Sequence, residues 1–303
     1  MSNPRTRINL ALLALVLVLG ALALWGPAPE QAGAPQENPP LTPMRADQVR
    51  HVAIERPGLD GPIRLTRGDD DRWTVTLPGR GAPLPADTFK ADRLAELAEA
   101  RVYDRFPAST DLAAYGLDRP RATVTLNAVV LRFGATEPLR HRRYVLADGH
   151  VHLIDDRYFD AIANTPANWV DKALLPGAPA LAAVRLPDLT VRRGEDGWTV
   201  EPAQSLSADA LQAFVDAWRH ARALTVKLPE AAPEGEGTVV LELADGGERV
   251  FELVQREPRL QLWDPERRVL YEFAAYTSER LLDPSRHEPQ DEGKASDGKD
   301  DTG

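Results

Sequence analysis

One sequence pattern occurs twice in this chain. The run RGDDDRWTVTLP at residues 67–78 returns as RRGEDGWTVEP at residues 192–202, and its two tryptophans, Trp73 and Trp198, lie 125 positions apart. This period is too long for a solenoid repeat and close to the size of a small domain. The sequence therefore predicts two copies of one folded module. Because both tryptophans recur at equivalent places, we expect them in the module cores.

Short runs of alternating apolar and polar residues dominate both halves and predict antiparallel strands. Asp148-Gly149 and Asp245-Gly246-Gly247 separate such runs, as hairpin turns do. Helical spacing follows in each half: Phe89, Leu94 and Leu97 share a face within residues 86–101, and Leu211, Phe214, Val215 and Trp218 follow a Ser207 N-cap. Shorter helices close the halves at 158–163 and 274–282.

The predicted fold class is α+β, with two tandem repeated modules of mainly antiparallel sheet and packed helices after an N-terminal transmembrane helix. The predicted domains are a cytoplasmic stub and anchor (1–25), a proline-rich linker (26–44), the first module (45–177), the second module (178–285) and a disordered acidic tail (286–303).

The anchor is predicted from an uncharged stretch, Ile8 to Trp25, that carries eight leucines. As a helix it would be roughly 27 Å long, close to the thickness of a bilayer core. Arg5 and Arg7 precede it and favour a cytoplasmic N-terminus, so the segment from Leu10 to Trp25 would hold the chain in a bacterial inner membrane with its bulk in the periplasm. A cleaved signal peptide is the alternative.

Composition removes several classes of site. The chain has no cysteine, which excludes a lipoprotein anchor, disulfides and thiolate chemistry. A formal net charge of −10 argues against a broad nucleic-acid surface. There is no G-x-S-x-G elbow and no phosphate-binding loop.

His150 and His152 are the weak candidates for a metal site. They are one residue apart on a predicted strand, so their rings share a face, and Asp155 and Asp156 follow. A third ligand at a fixed spacing is missing, and a solvated hairpin face is the alternative interpretation. We therefore predict no metal, no cofactor and no catalytic residues.

Two groups of residues are candidates for contact with a partner. Arg140, Arg142 and Arg143 form a local positive cluster in an acidic chain. Trp169, Asp171 and Lys172 lie in the segment NWVDKALLP near the predicted boundary between the modules. Packing is the alternative interpretation for the second group, and a charged loop leading into a strand is the alternative for the first.

Several short elements occur in a fixed order: YGLDRP at residues 115–120, the strand ATVTL, RRYVLADGHVHLID, and NWVDKALLP at residues 168–176. In this order, after an anchor and a WTV strand, they resemble the bacterial family called domain of unknown function 4340. The resemblance implies a single-pass inner-membrane protein, often encoded beside an ABC transporter of the gliding-motility-associated type. It brings no catalytic residues, and the second half has no YGLD counterpart.

From these observations we expect a membrane-anchored periplasmic binding or scaffolding protein with a protein partner. The resemblance implies that it is accessory to an ABC-type envelope transport system. A periplasmic receptor for a glycan or peptide is the first alternative. A metal-dependent hydrolase that uses His150 and His152 is the second.

Overall fold

The computed structural model describes residues 39–108 and 111–289. Strands of the first half are β1 (His51–Glu55), β2 (Ile63–Arg67), β3 (Trp73–Thr76), β4 (Leu84–Pro85), β5 (Asp104–Pro107), β6 (Ala122–Leu126), β7 (Val129–Thr136), β8 (Arg142–Ala147) and β9 (His150–Asp155). Strands of the second half are β10 (Leu181–Arg185), β11 (Thr190–Gly194), β12 (Gly197–Glu201), β13 (Thr225–Lys227), β14 (Gly237–Leu243), β15 (Glu248–Gln255), β16 (Gln261–Asp264) and β17 (Val269–Glu272).

The helices of the described residues are few and short. They are α1 (Thr88–Ala95), α2 (Arg157–Ile162), α3 (Ala208–Arg219) and α4 (Ala275–Leu282), with 3₁₀ turns at Ala46–Gln48, Glu96–Glu99, Ala113–Tyr115, Pro166–Trp169 and Pro284–His287. The predicted mainly antiparallel α+β fold is confirmed at this level.

Each half contributes one antiparallel sheet, and the strand orders of the two sheets correspond. The first order is β4-β3-β2-β1-β6-β7-β8-β9-β5, and the second is β12-β11-β10-β14-β15-β16-β17-β13. In the first sheet, β1 of the group β1–β3 pairs with β6 of the group β6–β9, and in the second sheet β10 of β10–β12 pairs with β14 of β14–β17. In both sheets, the strand that follows the helix (β5 or β13) lies at the far edge. The first sheet differs by one additional edge strand, β4.

Equivalent contacts hold the helix of each half against its sheet. The indole Nε1 of Trp73 donates to Oδ1 of Asp92 at 2.8 Å, and that of Trp198 donates to Oε1 of Gln212 at 2.8 Å. Both acceptors stand five residues after the N-cap of their helix. The predicted Ser207 N-cap is confirmed, since its Oγ accepts from the amide of Ala210 at 3.1 Å.

The buried side chains of many strands alternate with more exposed ones, as predicted. One residue of the predicted helix faces does not lie where it was expected. The long α3 buries the predicted face, and Trp218 is fully enclosed. Trp73 is buried, whereas Trp198 is only partly buried. Phe89 is 70% exposed, so its predicted place on the buried face is wrong. The helix begins at Thr88 and its buried residues are Ala91, Leu94 and Ala95, a face that Phe89 does not share.

The YGLD segment packs over the sheet of the first half. The Tyr115 ring lies between Phe106 and Tyr144, at centroid distances of 5.3 and 4.9 Å. Gly116 takes a left-handed conformation, with φ of +65°. A Cβ on Gly134 of β7 would lie only 2.3 Å from the Tyr115 carbonyl oxygen, so this close approach requires glycine.

The predicted anchor (1–25), most of the linker (26–38 of 26–44) and most of the acidic tail lie outside the described residues. Within the described part of the chain, no helix combines the length and the apolar character that crossing a bilayer requires.

Candidate interaction site

Residues 169–174, here called the junction segment, connect to both halves through backbone hydrogen bonds. Toward the first half, the amide of Asp87 donates to the Trp169 carbonyl at 2.9 Å, and the amide of Asp171 donates to the Pro85 carbonyl at 2.8 Å. Toward the second half, the amide of Ala223 donates to the Lys172 carbonyl at 2.8 Å. The segment thus pairs with the two halves on alternate sides, as a strand pairs with two neighbours.

Side chains of the junction segment add a second set of links. The Lys172 Nζ donates to the Leu224 carbonyl at 2.7 Å, and Asp171 forms an ion pair with Arg222 at 3.2 Å. Trp169 is only 1% exposed, and its indole N–H has no hydrogen-bond partner among the described residues. Trp169 therefore belongs to the packed interior, while Asp171 and Lys172 lie closer to the surface and hold the second half in place.

A pocket opens on each side of the Asp171–Arg222 ion pair. The first has a volume of about 360 Å³ and includes Thr66, Gly68, Asp70, Arg72, Trp73, Thr74, Thr88, Asp171 and Gly177 in its lining. The second has a volume of about 380 Å³ and is lined by Ala217, His220, Ala221, Arg222, Tyr276, Thr277, Arg280 and Leu281. Both volumes lie at the lower end of the range for small-ligand pockets.

Exposed apolar groups and positive charge lie beside the junction segment: Tyr276 and Arg280 line the second pocket, and Leu224, outside that lining, accepts from the Lys172 Nζ through its carbonyl. Tyr276 is 70% exposed and Leu224 is 45% exposed. The Arg280 Nη1 donates to the Tyr276 hydroxyl at 3.0 Å, and no carboxylate of the described residues lies within ion-pair distance of Arg280. We call Leu224, Tyr276 and Arg280 the junction surface. Tyrosine and arginine are enriched among the residues that dominate protein interfaces.

The predicted arginine cluster is split between surface and interior. Arg140 is exposed, and Arg142 stacks over the Tyr103 ring at 3.6 Å. Arg143 is 5% exposed and pairs with Asp156, with Nε to Oδ1 at 2.5 Å. Since Arg143 also donates to the Gly134 carbonyl, its role is internal and it cannot form part of an exposed patch. On strand β8 it points to the buried face, which its position in a run of charged residues does not reveal.

The histidine pair lies at the end of the β8–β9 hairpin. The two ring centroids are 6.3 Å apart. His152 is 4% exposed, its Nε2 lies 3.4 Å from the Ala147 carbonyl, and its Nδ1 has no partner in the described structure. The Nδ1 of His150 lies 2.8 Å from the Asp148 carbonyl and 3.2 Å from an Arg105 nitrogen. In the described ranges, no group of three or more candidate metal ligands comes together.

Burial makes His152 a source of acid sensitivity. Desolvation lowers the pKa of His152 below its ordinary value of 6.5, and the nearby charge of Arg105 lowers it further. The unfolded chain then binds the proton more tightly than the folded chain, so the free energy of unfolding decreases as the pH falls below 6.5 toward the folded-state pKa. We expect the free energy of unfolding, measured from denaturation curves, to decrease less between pH 7 and pH 5 in the His152→Gln variant than in the wild type. Equal slopes in the wild type and the His152→Gln variant would contradict this explanation.

Sequence reasoning missed the junction surface. Tyr276 was assigned only to a closing helix, and Leu224 has no distinguishing motif. The available signal was an aromatic residue and an arginine four positions apart on one helix face. Their proximity to the NWVDKALLP segment depends on the pairing of residues 171–174 with residues 221–224, which a single sequence does not specify.

The second pocket gathers apolar, cationic and hydroxyl groups. No curated protein and no solved structure matches the chain. A family model, described as domain of unknown function (DUF4340), matches residues 60–234, which is more than half of the chain and includes the whole junction segment. The chain therefore belongs to the DUF4340 family.

Proposed function

We propose that this protein is a membrane-anchored periplasmic binding or scaffolding protein, and that a protein partner in the envelope docks on the junction surface. The anchor would be the segment from Leu10 to Trp25, and the two halves would be duplicated modules held outside the inner membrane. In this proposal the protein binds and positions its partner and catalyses no reaction.

The observation that carries the proposal is the pair formed by the exposed Tyr276 and the half-buried Arg280 beside the junction segment. Tyr276 is held by the Arg280 guanidinium, so little rotamer freedom remains to be lost when a partner covers it. The adjacent pocket offers a recess into which a partner side chain can insert. Since the chain as a whole is acidic, the free charge of Arg280 favours a partner surface with acidic groups.

The family resemblance and the apolar N-terminal run support an envelope transport complex as the site of action. A leucine-rich stretch preceded by two arginines favours insertion with the folded part outside the cytoplasm. An accessory part of an ABC-type system would sit in this position. The proposal concerns the class of partner, a membrane-bound protein complex.

A receptor for a small glycan or peptide is the second candidate. The pocket of about 360 Å³ favours it, because Thr66, Thr74 and Thr88 offer hydroxyl groups beside the Trp73 ring. The small volume and the fully enclosed indole of Trp73 limit the ligand to one or two residues in size.

Co-purification from native membranes tests the main proposal. The full chain would be crosslinked in intact cells and purified, as wild type and as the double variant Tyr276→Ala/Arg280→Ala. We expect one discrete partner protein with the wild type, and a loss of at least about 2 kcal/mol of binding, roughly 30-fold, with the variant. Val130→Ala/Arg132→Ala is the matched control, since it removes an exposed apolar residue and an exposed arginine from the first sheet. Equal recovery with both variants, or no partner at all, would overturn the proposal.

A further inference from the structure

The two sheets differ at one edge. In the first half, β4 pairs with the outer side of β3, whereas the equivalent strand β12 is the last strand of its sheet. The cause is the length of the connection that follows. Fourteen positions separate Trp73 from the N-cap Asp87, but only nine separate Trp198 from the N-cap Ser207. With five residues fewer, the second connection cannot turn back and add a strand.

In the first half, the contacts of β4 show which residues can pair with this edge. Leu84 lies opposite Val75, Pro85 lies opposite Thr74, and the amide of Ala86 donates to the Trp73 carbonyl at 2.9 Å. Leu84 is buried and becomes part of the core. Pro85 is tolerated because a proline on an edge strand needs no ladder partner for its nitrogen.

In the second half, the equivalent apolar groups are left more exposed. Val200 is 8% exposed where Val75 is 0%, and Trp198 is partly exposed where Trp73 is 1%. Without an added strand, the outer backbone groups of β12 have no neighbouring strand in the described sheet, and Val200 and Trp198 are less covered than Val75 and Trp73. Unprotected strand edges of this kind pair readily with another chain.

The other open sheet ends are less suitable. β5 ends at Pro107 and carries the exposed charges of Asp104 and Arg105, which are features that discourage pairing. β13 is only three residues long. β12 has five residues and no lysine or proline within it.

We propose that the outer edge of β12 binds an extended segment of a partner protein, which adds as an antiparallel strand just as β4 adds to β3. The segment would carry an apolar residue opposite Val200 and would accept a proline opposite Thr199. Backbone hydrogen bonds supply the affinity of such strand addition, and apolar contact with Val200 and Trp198 supplies the selectivity. This inference rests on the proposed binding function and gives it a second contact surface.

A peptide taken from the chain itself tests the inference. The synthetic peptide LPGRGAPLPAD, with the sequence of residues 77–87, would be added to the full-length protein while amide hydrogen exchange is followed. We expect exchange at residues 197–201 to slow by about tenfold when the peptide concentration is about ten times its dissociation constant, which for so short a strand is about 1 mM. The control is the same peptide with a Leu84→Asp change, which should give no protection.

A graft variant provides the second arm. Residues 202–206 are replaced by the sequence of residues 77–86, so that the second half closes its own edge. The graft should abolish the peptide effect and shift the Trp198 fluorescence to shorter wavelength. The inference is overturned by unprotected wild-type β12, by equal protection from the Leu84→Asp peptide, or by protection that persists in the graft.

Three further outcomes separate this inference from the alternatives. A wild-type dimer that the graft dissociates would assign the edge to a second copy of the chain and overturn the partner proposal. Co-purification that depends on Tyr276, without any peptide effect at β12, would overturn the edge inference alone. A peptide effect without co-purification would instead overturn docking at the junction surface.

Discussion

Trp73→Ala is expected to lower the free energy of unfolding by about 3–5 kcal/mol, and Trp198→Ala by only about 1–2 kcal/mol. The first change empties a fully enclosed site and leaves the Asp92 carboxylate without its indole donor. The second removes a side chain that water already reaches, because no strand covers the edge of β12. Urea unfolding of the two variants measures the difference.

The comparison is informative because the two residues are otherwise matched. Each stands at the start of its strand and donates to the residue five positions after a helix N-cap. Equal costs would mean that β4 contributes nothing to the burial of Trp73. A larger cost for Trp198→Ala would contradict the account of the open edge.

Arg143→Met is expected to cost about 3 kcal/mol, because it removes the charged partner of Asp156, which keeps only the Thr136 hydroxyl as donor, and it leaves the Gly134 carbonyl without its side-chain donor. The Phe159 ring also loses the guanidinium that lies 3.8 Å from its centroid. Arg140→Met, at an exposed turn position, should change stability by less than about 0.5 kcal/mol.

Thermal or urea unfolding checks the Arg143 prediction, and the double variant Arg143→Met/Asp156→Asn refines it. Removing both charges should restore part of the lost stability, since an unpaired carboxylate is the costlier state. If Arg143→Met were as mild as Arg140→Met, the pair would be a surface feature and the original patch hypothesis would return.

Rules that depend only on neighbouring residues correctly predicted several elements of the fold. The Ser207 cap, the α3 face around Phe214 and the Asp148-Gly149 turn follow from spacing and from backbone preference alone. The repeated tryptophans indicated matching halves, and the two strand orders correspond. The prediction for Phe89 is wrong because the buried face of the helix runs through Ala91, Leu94 and Ala95, and Phe89 lies off that face.

The features that define the candidate site depend on contacts that are distant in sequence. Arg143 looks like its charged neighbours until strand pairing assigns it to the inner face. Lys172 meets Leu224 across 52 positions, and Tyr276 reaches the same region from the last helix. Alternation predicts a face, but it does not predict which segments of the chain will meet.

The central claim is that a partner docks on the junction surface, and photocrosslinking tests it most directly. A photoreactive amino acid would replace Tyr276 in the full chain in its native membrane, and Val130 would be the control position on the first sheet. We predict one discrete crosslinked product from position 276 and none from position 130. The yield of that product should not change when the cells are diluted. Adducts that are absent at both positions, or the same at both, would contradict the claim.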